Sequence, residues 1–390
     1  MRRNVILASC LALAFGTLGC QEQSTEPVAP SASSKEVGRQ AFSDLALKRG
    51  LVRIPITGHL SDQYLSDAAA RIIDPTDYVC VPGSPVFAWA DAEFQEALDE
   101  DFPELFRLVV NFAADQVPFV EALLVLTEDA PQSFGYNGEF TKVMLKTERD
   151  VKRFWDIASD DILLLAMKGT MLQDEARVAA VYENFFVNDD GSFITAEQAA
   201  AIADTVHTLL DQAETLDGGN DPLFSMNAFA FSSPGIQDRI VMGDGILEGF
   251  KVVGFGDVAP QAIYAHEFAH HIQYENDYLD ELPPPATEPE QTRHNELMAD
   301  AMAAYYLTHK RGGTLNKHRV AQFLEVFFQI GDCSFTNPGH HGTPNQRMKA
   351  AQFGFDVADK AHKQGHILTS EEFHTQFEAA YAEIIAPDAA

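Results

Sequence analysis

The sequence predicts an α+β protein, mostly helical, with a small antiparallel sheet between a helical N-terminal region and a helical C-terminal half. Three observations carry this. Apolar residues recur at three-to-four spacing through most of residues 38–215, as in DAEFQEALDEDFPELFRLVVNFAADQV and DDILLLAMKGTMLQDEARVAAVYENFF, which is the period of helices with one buried face. After LDGGNDP the character changes, and FSMNAFAFSS and DRIVMGDGILEGFKVVGFG alternate as short strands do, rich in β-formers and glycine. Helical spacing resumes near Asp257 and persists to the C-terminus. At 390 residues and 46% hydrophobic content, the chain can bury one large core or two ordinary ones. No internal repeat is apparent, and a boundary is placed near 215, dividing residues 38–215 from 216–390.

The chain begins MRRNVILASCLALAFGTLGC: two arginines, an apolar stretch too short for a stable membrane span, and small residues leading to Cys20. Residues 1–19 read as an export signal. TLGC followed by Gln21 resembles the lipobox of bacterial lipoproteins, with Thr17 where leucine is usual. That resemblance implies a lipidated Cys20 carrying palmitate-type chains, and an anchor in a bacterial envelope membrane facing the periplasm or the exterior. Gln21 after the cysteine implies the outer membrane. A signal cut without lipidation is the alternative. Residues 20–37 are then a flexible tether, polar and rich in Pro, Ser and Ala.

Removing residues 1–19 leaves 25 basic against 58 acidic side chains, a net charge of −33. Such a surface repels nucleic acid, so no nucleic-acid partner is expected. Cys80 and Cys333 are the two thiols left. In an oxidising periplasm they form either a disulfide or two buried, unpaired thiols. NDDGSFITAEQ mimics the later positions of a calcium loop through Asn188, Asp190, Gly191 and Glu197, but Phe186 stands where the first carboxylate is required. A turn followed by a Thr195/Gln198 capping box accounts for the same residues without an ion.

The chemistry concentrates in YAHEFAHHIQYE, residues 264–275. On a helix His266 and His270 project within about 40° of each other, so both imidazoles can reach one metal ion with Glu267 beside them. A catalytic zinc needs a third protein ligand and an open position. Gln273 and Asn276 stand where a metzincin has glycine and histidine, which excludes that type. Downstream, TEPEQTRHNELMADAMAAYYLTHKRGG reads as one helix, opened by a Thr287/Glu290 capping box and stopped at Gly312. Glu296 and Asp300 lie four apart among apolar neighbours, so these carboxylates are buried and need a cation nearby. Glu296 can be the third ligand, and Asp300 can accept a hydrogen bond from a ligating imidazole.

HEFAHHIQ, then ELMAD, then HHGTPNQRMKAAQFGFD, in that order over residues 255–358, resemble the bacterial neutral zinc metallopeptidase family, a gluzincin group with HExxH followed by ExxxD. Ala269 stands where that family commonly has glycine. NAFAF before DRIVMGDGIL is similar to the strand region ahead of the zinc helix in periplasmic and CAAX-processing metallopeptidases. The resemblance implies a zincin-like domain over 216–390, Zn2+ on His266, His270 and Glu296, and Glu267 as general base cleaving a protein or peptide substrate. For a further donor to the transition state the candidates are His340, His341, Tyr305 and Tyr274. GHHGTPNQR starts a helix through Thr343 and Gln346, with an added catalytic role open for His341 or Arg347. His271 is expected to pack or to support the ligands from behind. NAFAF is either an edge that an extended peptide joins or an interior strand. ELPPPATEPE is expected to be a spacer. Two other functions stay open: a zinc-binding lipoprotein acting as a chaperone or assembly factor, and a helical adaptor with a structural metal.

Overall fold

The computed structural model describes residues 54–55, 84–188, 190–233, 236–279, 282, 286–329, 342–361 and 365–386. The signal, the tether, Cys20, Cys80, Cys333, His340 and His341 lie outside the described residues. In chain order the elements are β1 (Ile54–Pro55), α1 (Pro85–Glu100), α2 (Phe102–Phe106), α3 (Val117–Leu124), α4 (Thr141–Phe154), β2 (Leu163–Met167), α5 (Glu175–Phe185), β3 (Phe186–Val187), α6 (Ala196–Gln212), β4 (Ala228–Ser233), β5 (Ile236–Gly243), α7 (Asp244–Val252), α8 (Ala259–Asn276), α9 (Glu288–Thr308), α10 (Lys317–Gln329), α11 (Pro344–Ala361) and α12 (Ser370–Ile384). The chain is therefore mostly helical and α+β, as its periodicity predicts. Among the described residues no helix is long and apolar enough to cross a membrane.

Helix starts follow the capping chemistry read from the sequence. Thr195 and Gln198 close a reciprocal box at α6, and the Glu290 carboxylate accepts from both the amide and the hydroxyl of Thr287 at α9. Thr343 and Gln346 form a third at α11. Each satisfies amides that the first helical turn leaves unpaired. In the calcium-loop mimic, Asp190 Oδ1 accepts from the Ser192 amide and Asn188 Nδ2 donates to Ser192 Oγ, so these side chains serve the turn.

The main sheet corrects one expectation. It is mixed, not antiparallel, with strand order β2-β5-β4. β4 runs antiparallel to β5 with Phe229 opposite Val241, whereas β2 pairs parallel to it from Leu163↔Arg239 to Met167↔Gly243. Its five residues, LLLAM, belong to a segment read as helical, because a short continuous apolar run has no period that separates a doubly buried strand from a helix. The sheet thus takes one strand from before residue 215 and two from after it.

Strand alternation sends the side chains to two cores. Leu164, Ala166, Ala228, Ile240 and Met242 face a core built with α8 and α9, through Ala262, Phe268 and Ala301 among others. Leu165, Met167, Phe229, Phe231 and Val241 face a second core with α3, α5 and α6, through Val117, Val181 and Ala203. Behind α8 lies α9, and against α9 lies α11, packed through small residues. Gly354 of α11 sits on the α9 backbone, where a Cβ would overlap the Ala301 carbonyl oxygen and stand 2.8 Å from the Ala304 Cβ.

Gly354→Ala should therefore push α11 off α9 and destabilise the fold by about 1–3 kcal/mol, the usual cost of overpacking. Urea unfolding of the two proteins checks this, and equal midpoints would refute the close approach.

Candidate metal centre

α8 is buried nearly all round its first four turns, from Ala259 to Gln273. A helix in that position has no solvent face on which to place polar side chains, so each one must find a partner inside. His266, His270 and Glu296, all buried, bring one ligand atom each within 4.8 Å of the others and could hold a metal ion. The two Nε2 atoms lie 3.2 Å apart. Glu296 Oε2 is 3.3 Å from His266 Nε2, and Oε1 is 3.6 Å from His270 Nε2. Both imidazoles thus point the same nitrogen inward.

The outward nitrogens are held differently. His266 Nδ1 lies 2.8 Å from Asp300 Oδ1, four residues after Glu296 on α9. Asp300 is gripped in turn by Arg347 of α11, whose Nε and Nη2 donate to Oδ2 and Oδ1 at 2.7 and 2.6 Å. Arg347 is the largest fully buried side chain among the described residues. His270 Nδ1 lies 2.7 Å from Gln273 Oε1, and Gln273 Nε2 donates to the Asn295 carbonyl at 2.7 Å. Gln273 has no part in the sequence reading except to exclude a metzincin. The readable signal is its place three residues after His270, on the same helical face.

Glu267 is fully buried, and neither carboxylate oxygen completes a hydrogen bond among the described residues. Burial, helped by the charge on Glu296, lifts its pKa to about 8 against the downward pull of His266, the Ala230 amide of β4 and Arg347. It therefore lies within electrostatic reach of His266 and Glu296 and approaches the strand. Burial disfavours charge on His266, but Asp300 and Glu296 outweigh it and hold that pKa up at about 9. His270, desolvated and beside His266, is held down at about 4.

Of the other predicted residues, His271 turns to the sheet, its Nε2 3.1 Å from the Arg239 carbonyl and its Nδ1 3.5 Å from Asp238. It ties α8 to β5. Tyr305 lies nine residues after Glu296, half a turn round α9, where it packs against Phe154, Trp155 and Phe373 and accepts from the Leu368 amide. The structure therefore does not bring Tyr305 to the metal group. Tyr274 donates to the Ala230 carbonyl at 3.4 Å, beside the strand that approaches Glu267. Comparisons with protein-family models, curated proteins and solved structures find no match to this chain.

Two outcomes follow from the charges. A proton and a cation compete for His266 Nε2, so apparent affinity for a divalent ion should rise about tenfold per pH unit from 7 to about 9 and then flatten, with about one proton released per ion. Chelator competition across that range checks it, and a flat profile would refute a charged His266. Arg347→Met strands a buried carboxylate and should cost about 3–5 kcal/mol in chemical unfolding, much of it recovered when Asp300→Asn is added.

Proposed function

We propose that this chain is a zinc-dependent endopeptidase of the bacterial envelope, lipid-anchored at Cys20, that hydrolyses peptide bonds of envelope proteins. The observation that carries the reading is Glu267: a buried carboxylate outside the ligand set, beside two imidazoles and a third ligand, with no completed hydrogen bond. A structural zinc site closes on four protein ligands and has no use for such a group. Two imidazoles and one carboxylate suit zinc. The two imidazole Nε2 atoms stand 3.2 Å apart, close to the edge of about 3.4 Å expected for a tetrahedral ion with bonds of about 2.0–2.1 Å, and Glu296 turns Oε2 toward one imidazole and Oε1 toward the other.

Zinc on His266, His270 and Glu296 would act as a Lewis acid, activating a water and polarising the scissile carbonyl. The residues of the chain do the rest. Glu267, buried beside the ligand set and not part of it, is suited to take a proton from the attacking water and return it to the leaving amine. Asp300 and Gln273 hold the imidazoles in place from behind. β4 is paired with another strand on one side only among the described residues, which supports an extended substrate pairing along its other edge. On this reading the zincin-like core is carried by residues 216–390 together with β2, which pairs with β5.

One observation favours a second reading, a zinc-binding lipoprotein whose proteolysis is latent. His266, Glu267, His270 and Glu296 are all at most 1% exposed. Casein digestion separates the two. The wild-type protein should cleave it, and Glu267→Gln at equal zinc content should lose at least about 100-fold of the rate. Zinc bound by both proteins with cleavage by neither would move the assignment to the latent form, and failure of both to bind zinc would sink the centre.

A further inference from the structure

We infer that Gln273 is a positioning residue of the metal centre: its amide holds the His270 proton on Nδ1, commits Nε2 to the ion, and takes its own polarity from the main-chain carbonyl of Asn295. This rests on the zinc reading above for its purpose, but the chemistry stands on the contacts alone.

A side-chain amide has a donor end and an acceptor end, and a neutral imidazole has one nitrogen of each kind. Neither orientation is fixed until one contact in the chain has a single sense. The Asn295 carbonyl supplies it, because a carbonyl only accepts. The Gln273 end that lies 2.7 Å from it must therefore be the NH2 group. The oxygen end then faces His270 Nδ1 at 2.7 Å, and that nitrogen must carry the proton. The lone pair is left on Nε2, which lies 3.2 Å from His266 Nε2 and 3.6 Å from Glu296 Oε1. Gln273 is fully buried, so no water competes for either end.

The same amide spans the two metal helices. Asn295 immediately precedes Glu296, so a bond from α8 to its carbonyl also fixes the height of α9 against α8, and with it the Glu296 oxygens relative to both imidazoles. A mere packing residue would do neither. Leucine or methionine fills the same space without acceptor or donor.

The test reads the tautomer first, on metal-free protein with 15N-labelled histidine. His270 in wild type should show Nδ1 protonated and Nε2 bare. Gln273→Met should lose that preference and lower zinc affinity about 10–100-fold in chelator competition. Gln273→Glu, which keeps an acceptor toward Nδ1 but loses the amide donor to the Asn295 carbonyl, should retain the tautomer and recover only part of the affinity. An unchanged tautomer and affinity in Gln273→Met would overturn the inference. If that variant does not fold, an Nε2-protonated His270 in Gln273→Glu would overturn it instead. The two readings fail separately: wild type that binds no zinc defeats the proposed function, and wild type with its proton on Nε2 defeats the role of Gln273.

Discussion

Arg347 grips Asp300 through two bonds of 2.6 and 2.7 Å, both side chains at 0% exposure, and Asp300 passes the contact to His266 at 2.8 Å. Three helices meet in that line: α11, α9 and α8. Desolvating an ion pair costs roughly what its attraction returns, so the pair adds little net stability. What it does is penalise every other arrangement, since any slip of α11 leaves a carboxylate or a guanidinium buried alone. The small residues between α9 and α11, with Gly354 against the Ala301 carbonyl, let the backbones come close enough for this reach.

The two imidazoles are supported by groups of different charge. Asp300 behind His266 is a carboxylate whose charge Arg347 balances, whereas Gln273 behind His270 is neutral. The resulting split, one histidine held at about 9 and the other at about 4, follows from that difference together with burial. Counting Glu296, this buried group gathers more negative than positive charge. The proton on His266 offsets this in the metal-free protein, and a cation entering the site would have to displace it.

Much of the site was legible because its spacing and its helix starts are local. HExxH and ExxxD each lie within one helix, and Thr287, Thr343 and Thr195 start helices with partners three residues on. Asp300 behind His266 was legible by the same logic. What depends on packing between distant segments was not. LLLAM carries no period, so the parallel strand and the mixed sheet it creates went unread. Tyr305 was attractive by residue type, but its angle round α9 puts it among Phe154 and Trp155. Gln273 showed in sequence only as a missing glycine, since its value depends on where the Asn295 carbonyl falls.

The brace on Asp300 also has a place in time. Arg347 lies 47 residues beyond it in the chain, and β2 meets β5 across a longer stretch, Leu163 to Arg239. Synthesis runs from the N-terminus, so the sheet and both ligand helices exist before the guanidinium that balances them. Until it arrives, burying Asp300 is unfavourable. The segment that brings Arg347 therefore decides when Asp300 settles behind His266, and a chain halted short of residue 347 would hold His266, His270 and Glu296 without the guanidinium that balances Asp300.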